Sequence, residues 1–160
     1  MSPTESEGRS EVRYLDIADR IWPLTRRFMG VHTLVYKATG GRIGHSGPGF
    51  PRMLLLDHVG AKSGTKRTSP LLYFRDGDDV VIVASKGGYP KNPAWYYNLL
   101  ANPDTKVQIK SEHRAVRARV ATDEEHERLW PVALKQYSGY ADYQARSKGR
   151  KIPLVILEPR

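Results

Sequence analysis

The chain contains no cysteine. Disulfides, thiolate metal sites and thiol catalysis are therefore excluded, and the composition suits a reducing compartment, the cytoplasm. No window approaches the uninterrupted apolar length of a bilayer-spanning helix. The opening "MSPTESEGRSE" has no basic stretch followed by an apolar core, so it does not read as a signal peptide. Nucleotide and hydrolase signatures are missing too. No Gly-x-Gly-x-x-Gly follows a strand, and neither a Walker loop nor a Gly-x-Ser-x-Gly elbow occurs. The five histidines fall at no metal-ligand spacing, so no metal is expected. His58 stands beside Asp57, but neighbours on a strand point to opposite faces and make a poor catalytic dyad. His126 lies in the acidic run "DEEHER", which reads as exposed. Acidic residues are the minority: 17 Asp and Glu against 26 Lys and Arg, a net charge of +9. Such a surface attracts anions, whether nucleic acid, acidic lipid or a polyanionic small molecule.

What is present reads as one folded domain of 160 residues. Residues 1–10 read as disordered. Over 11–38 apolar residues recur at 14, 17, 18, 21, 24, 28, 31, 34 and 35, which is helical spacing, with Arg13, Arg20, Arg26 and Arg27 among them. Pro23 is expected to kink or split this amphipathic helix. It reads either as a helix packed on the domain's own core, the plainer choice, or as a basic helix lying on a membrane surface through residues 12–36. After the glycine-rich "TGGRIGHSGPGFP" the period shortens, and residues 39–160 form the main unit. Strands are expected at 52–60, 67–74, 80–85, 105–110, 115–120 and 152–157. Pro70 argues for an edge or bulge in the second, and Asp-Gly in "RDGDD" marks a hairpin. Alternation sets Val107 and Ile109 opposite Lys106, Gln108 and Lys110. Helices are expected from Pro93, capped by Asn92, to about residue 101; after a Thr122–Glu125 capping box, through Leu134; and over 140–148. The sum is an α+β chain, mainly β, built as a small antiparallel barrel.

Three stretches carry chemistry. "SKGGYPKNPAWYYNLLANP" (85–103) leaves a strand at Ser85, passes Lys86, turns through Gly87 and Gly88, and opens the helix that bears Trp95, Tyr96 and Tyr97. Exposed backbone amides, a helix start and an ammonium together favour a phosphate or carboxylate. At least one ring of the three is expected to line a cleft and stack on a planar ligand, with Asn98 close by to bond its edge. The turn "GAKSGTKR" (60–67) gathers Lys62, Lys66 and Arg67. "YSGYADY" (137–143) places Tyr137, Tyr140 and Tyr143 three apart, on one helical face, where phenols suit a reacting centre as donors. Each has a plainer reading: core aromatics beside a turn, a solvated hairpin tip, and core packing.

"GAKSGTKRTSPLLYF", "VVIVASKGGYPKNPAWYYNLLANP", "YSGYADY" and "IPLVILEP", in that order and spacing from about Thr39 to Pro159, resemble the deazaflavin-dependent nitroreductase family of actinobacteria. The resemblance implies a split β-barrel of six to seven antiparallel strands, FMN-binding-like, behind an N-terminal amphipathic helix. It also implies reduced coenzyme F-420, a planar deazaflavin with a phosphate and a glutamate chain, which suits the positive charge. By that resemblance Lys62, Ser63, Lys66 and Arg67 hold the phosphate and acidic tail. Ser85, Lys86 and Gly87 continue the cradle, and Ala94, Trp95 and Asn98 contact the deazaflavin. Tyr140 and Tyr143, with Tyr137 as the third of the set, lie on the substrate side as catalytic residues. The reaction implied is hydride transfer to a quinone, with nitro compounds as side substrates, and a greasy quinone would give the basic helix a reason to sit at the inner face of the membrane. Two positions depart from the pattern: Ala61, where relatives often carry Arg, and Leu72, where some carry Tyr. Two rival readings remain: the same barrel with FMN, and a basic nucleic-acid-binding module. The second ranks low because the aromatics sit beside an anion turn and not along an open sheet, so no nucleic-acid partner is expected.

Overall fold

The computed structural model describes residues 23–47 and 51–160. The disordered N-terminus expected over 1–10 and the part of the amphipathic helix over 11–22 lie outside the described residues, as does the Pro23 junction on its N-terminal side. Six strands close into one antiparallel barrel in the order β1-β2-β3-β6-β5-β4: β1 (Met53–Val59), β2 (Lys66–Asp76), β3 (Asp79–Val83), β4 (Asp104–Ile109), β5 (Glu112–Val120) and β6 (Leu154–Pro159). Among the described residues four α-helices accompany it: α1 (23–38), α2 (Ala94–Ala101), α3 (Asp123–Gln136) and α4 (Gly139–Arg146). The α+β split-barrel expectation therefore holds. β1 returns to β4 through Leu55 opposite Gln108 and Leu56 opposite Val107, which closes the circle. Pro70 sits where β2 pairs β1 alone, because β3 joins β2 only from Tyr73 onward. A missing N–H costs nothing on that side.

The strand period explains two cores. Val80 and Ile82 point into the barrel with Leu54, Leu56, Val107, Val116 and Leu157. Val81 and Val83 point outward, with Phe74 and Ile156, and are covered by Leu129 and Ala133 of α3 and Tyr140 of α4. The capping box opens α3 as expected: Thr122 Oγ1 accepts from Glu125 N–H at 3.2 Å, and Glu125 Oε2 accepts from Thr122 N–H at 2.9 Å. The outer face of β4 is covered too. Gln108, on the face opposite Val107 and Ile109, is buried and donates to the Lys110 carbonyl at 2.8 Å. Its neighbour is Tyr36 of α1, fully buried, whose hydroxyl donates to the Met53 carbonyl and accepts from Lys110 N–H at 2.8 Å. Alternation gives the face of Gln108 but not its cover, because the helix that supplies Tyr36 lies 72 residues earlier in the chain.

Helix α1 touches the barrel with one side only. Tyr36 is its buried residue, whereas Leu24 and Phe28 are each 74% exposed, Val31 61% and Leu34 69%. These are the apolar positions whose spacing announced the helix. For the described residues, packing on the domain's own core accounts for the opposite face and not for this one. No helix among the described residues is long and apolar enough to cross a membrane.

Candidate functional site

The turn after β1 is built by its own backbone. Gly60 N–H donates to the Thr65 carbonyl and Gly64 N–H to the Gly60 carbonyl, each at 2.9 Å. Ser63 Oγ folds back to accept from Thr65 N–H at 3.2 Å. Lys62, Ser63, Lys66 and Arg67 project from this frame and are exposed. Among the described residues none of the three cations makes an ion pair, although seven pairs form elsewhere on the same chain. A cation cluster left without carboxylates keeps its field for an incoming anion.

Beyond β3 the chain turns through Ser85 into a single 3-10 turn, Lys86–Gly88, in which φ is 46° at Lys86, 62° at Gly87 and 83° at Gly88. Ser85 is right-handed (φ −75°, ψ −40°) and Lys86 after it is left-handed, and this αR–αL succession turns neighbouring amides to one side, the geometry of an anion nest. Gly88 N–H and Tyr89 N–H are used internally, bonding the Ser85 and Lys86 carbonyls at 3.0 and 3.2 Å. The amides of Lys86 and Gly87 donate to no described acceptor. Lys86 Nζ lies 5.5 Å from the Tyr89 ring centroid, a cation–π contact that holds it at the elbow.

Helix α2 starts one residue later than expected. Pro93 is its cap position and Ala94 its first residue. Asn92 does not cap it, because Asn92 Oδ1 accepts instead from Arg150 at 2.6 Å. Ala94 is exposed, Trp95 and Asn98 are buried, Tyr96 is half-buried, and Tyr97 is the exposed ring, 49% open. Tyr96 and Tyr97 meet edge to face at 5.4 Å. Trp95 belongs to the barrel's inner core beside Leu54 and Leu56. The flat surface left facing outward on this helix is that of Tyr97, which sequence reasoning did not single out.

Asn98 joins the two cationic stretches. Its Oδ1 accepts from Ala61 N–H at 2.9 Å, and its Nδ2 lies 2.9 Å from His58 Nδ1. His58 Nε2 in turn meets Ser69 Oγ at 2.9 Å. One buried chain thus ties α2, β1, β2 and the 60–65 turn together. Burial is the main reason the His58 pKa is lowered, and the Arg67 charge adds to it while Asp57 opposes it. The sequence signal for His58 was weak: a polar residue in an apolar strand.

The three tyrosines meet, though not on one helical face. Tyr137 ends α3 in extended backbone, while Tyr140 and Tyr143 lie on α4. Ring centroids are 5.1 Å apart for Tyr137–Tyr140, 6.0 Å for Tyr137–Tyr143 and 6.3 Å for Tyr140–Tyr143. The Tyr137 and Tyr143 hydroxyls are 3.2 Å apart. Both residues are half-buried, whereas Tyr140 is only 4% exposed and packs in the outer core. Burial, reinforced by the two neighbouring phenols, raises the Tyr140 pKa well above the ordinary phenol range, so this hydroxyl keeps its proton at neutral pH. His126 departs from its expected exposure: it stacks on Trp130 at 5.4 Å and bonds the Ile152 carbonyl at 2.8 Å. The return of the chain toward β6 covers a ring that looked solvated in its acidic run. Elbow and tyrosine cluster adjoin, since a Cβ at Gly88 would lie 2.8 Å from the Tyr143 carbonyl oxygen.

A family model described as F420H(2)-dependent quinone reductase matches residues 28–159. The F420H(2)-dependent quinone reductase of Mycobacterium tuberculosis (strain H37Rv) is 42% identical over 137 residues, which span 84% of this chain and 91% of that protein. Among solved structures, an F420-H2 dependent reductase superposes with a TM-score of 0.61 at 41% identity, covering 66% of this chain and 93% of that one. A second, a domain-swapped dimer, gives 0.64 at 36% identity and covers 88% and 98%.

Proposed function

The chain belongs to the F420H(2)-dependent quinone reductase family, and we propose that it grips reduced coenzyme F-420 between the 60–67 turn and the 85–98 elbow to reduce a quinone. One observation carries this reading: the turn bearing the unpaired Lys62, Lys66 and Arg67 is hydrogen-bonded, Ala61 N–H to Asn98 Oδ1, to the helix that follows the elbow. That bond ties the cationic turn to α2, the helix into which the elbow leads and which carries the exposed Tyr97 ring. The residues fit a planar polyanion. Lys62, Ser63, Lys66 and Arg67 would take its phosphate and carboxylates, and Ser85, Lys86 and Gly87 would continue the contact through backbone amides. Ala94 would meet the ring, while Trp95 and Asn98 act from the buried side of α2. When bound in its reduced form, the coenzyme supplies the hydride.

The remaining work falls to the chain's own side chains. Conversion of a quinone to a quinol takes that hydride and one proton. Tyr140, Tyr143 and Tyr137 would orient the acceptor oxygen, and the Tyr137–Tyr143 pair, whose hydroxyls bond each other at 3.2 Å, would supply the phenolic proton. No protein nucleophile enters such a reaction. Nitroaromatic acceptors belong to the same reading as side substrates. The exposed apolar side of α1, with Arg26 and Arg27 beside it, supports peripheral attachment to a membrane that stores a greasy acceptor.

The test is a titration of purified protein with reduced and oxidised coenzyme F-420, followed by its fluorescence, and then a panel of quinones and nitroarenes. Saturable binding and quinone-dependent oxidation are expected, with Lys62→Ala weakening affinity by up to about fivefold, the value of one exposed charge contact. Indifference to the coenzyme, or copurifying FMN, overturns the reading. For the membrane contact, Leu24→Glu with Phe28→Glu is expected to abolish sedimentation with anionic liposomes. Unchanged partitioning removes that part of the proposal.

A further inference from the structure

Arg150 stands between the end of α4 and the start of β6, half-buried, and its guanidinium faces the elbow. Nε donates to the Tyr89 carbonyl at 3.1 Å. Nη1 donates to the Ala84 carbonyl at 3.1 Å and to Asn92 Oδ1 at 2.6 Å. Nη2 donates to the Ser85 carbonyl at 2.9 Å and to Tyr89 again at 2.8 Å. Every acceptor is neutral, and every one lies in residues 84–92. Arg150 makes no ion pair with a described carboxylate. A planar fork of five N–H donors suits this task, since it meets several carbonyls at once from a fixed frame. The fork is itself braced: the Arg150 carbonyl accepts from Gln144 Nε2 and from Ser147 Oγ, each at 2.7 Å. Gln144 belongs to α4, the helix of Tyr140 and Tyr143.

The elbow needs such a brace. Left-handed backbone is disfavoured at Lys86, which has a Cβ, and the elbow's own amides supply only the two bonds at Gly88 and Tyr89. The shape must be imposed from outside. Two contacts do this: the Arg150 fork beneath the carbonyls, and the backbone of Tyr143 against Gly88, where no Cβ fits.

We propose that Arg150 is a positioning residue: it holds the Ser85–Asn92 elbow in the left-handed shape that leaves the Lys86 and Gly87 amides open to the coenzyme's anionic groups, and it locks that elbow to the tyrosine helix. The proposal rests on the coenzyme reading given above. Arg150 acts through the elbow and does not touch the coenzyme. Charge alone is insufficient, because one ammonium cannot span the Ala84, Ser85 and Tyr89 carbonyls.

Arg150→Ala and Arg150→Lys are compared with wild type and with Lys62→Ala. Hydrogen exchange of the coenzyme-free proteins reads the elbow directly, and fluorescence titration reads affinity. We expect the Gly88 and Tyr89 amides to exchange at least about tenfold faster in both Arg150 variants, while the amides of β3 and β6 keep their protection. Coenzyme affinity falls by about tenfold or more, equal to 1.4 kcal/mol. Methylguanidinium at millimolar concentration restores affinity to Arg150→Ala and does nothing for Lys62→Ala. Wild-type exchange and affinity in Arg150→Ala, or full affinity in Arg150→Lys, overturns the proposal, as does a uniform loss of protection across the barrel. Should Arg150→Ala fail to fold, Arg150→Lys decides by the same criteria. Failure of wild type to bind the coenzyme would sink the function reading instead, and elbow exchange would still judge the role of Arg150.

Discussion

His58 should titrate below the ordinary histidine range, and a single substitution at Asn98 should reverse the direction. The amide of Asn98 is oriented by its partners. Ala61 N–H can only donate, so Oδ1 faces it, and Nδ2 must donate to His58 Nδ1. His58 is thereby held with Nδ1 bare and its proton on Nε2, which donates to Ser69 Oγ. A second proton would set N–H against N–H in a buried place, and burial together with Arg67 opposes it further. The folded ring therefore binds its proton less readily than the unfolded one. Stability from this group is complete above the unfolded value, about 6.5, and is lost as pH falls through the lower folded value. The loss amounts to one buried hydrogen bond broken with a donor left facing a donor, about 1–3 kcal/mol. It would also release the Ala61 amide and loosen the cationic turn. Asn98→Asp places a carboxylate that accepts from both Ala61 N–H and Nδ1–H, so the imidazolium is favoured and the His58 pKa rises. The assay is an NMR titration of the His58 ring beside urea unfolding from pH 5 to 7.5, in both proteins. His45 is also lowered by burial, and the difference between the two proteins removes its contribution. A wild-type His58 titrating at or above 6.5, or an Asn98→Asp protein in which it does not rise, refutes the reasoning.

Other outcomes follow from the same geometry. The Glu125 carboxyl is held at about 2 by the Arg119 guanidinium and the Thr122 amide. Its depressed value contributes stability above about pH 4.5 that is lost as pH falls through 2, so Glu125→Gln should flatten the acid limb of urea unfolding and cost about 1 kcal/mol at pH 7. Gly139→Ala would set a Cβ 2.5 Å from the Tyr137 ring. A loss of about 1–3 kcal/mol is expected in thermal unfolding, with turnover falling and coenzyme affinity kept, because the displaced ring breaks the Tyr137–Tyr143 bond. An unmoved melting temperature would show that the ring relocates freely. Tyr140→Phe should lower quinone turnover more than coenzyme affinity. In wild type, burial keeps this phenol neutral, so the pH–rate profile up to pH 10 should show no limb from its ionisation.

The parts legible in the sequence are those whose signal is local. Strand alternation and the Asp-Gly turn located the barrel, because each strand's period depends only on which face it buries. The Thr122–Glu125 cap was readable because both partners lie within one turn of helix. The same locality explains the misses. Asn92 looks like a cap until a guanidinium 58 residues later takes its oxygen. The cover over Gln108 comes from Tyr36, 72 residues earlier. Tyr137, Tyr140 and Tyr143 share a spacing but not a helix, and their rings meet only because α3 ends at Tyr137 and the chain turns back.

This division has a chemical cause. Groups that meet a ligand must be exposed and mutually close, and the simplest way to bring exposed groups together is to place them on one turn or one short helix. They therefore cluster in sequence, as Lys62 to Arg67 and Ser85 to Gly87 do in the proposed site. Groups that hold such a turn in shape must lie behind it, on whatever element packs there, and in a closed barrel that element comes from a remote part of the chain. His58 reaches Asn98 across 40 residues, and Arg150 reaches Ser85 across 65. Substitutions in this second layer should therefore alter coenzyme affinity without removing any group proposed to contact the coenzyme: Asn98→Asp keeps size and changes charge, whereas Arg150→Lys keeps charge and changes shape.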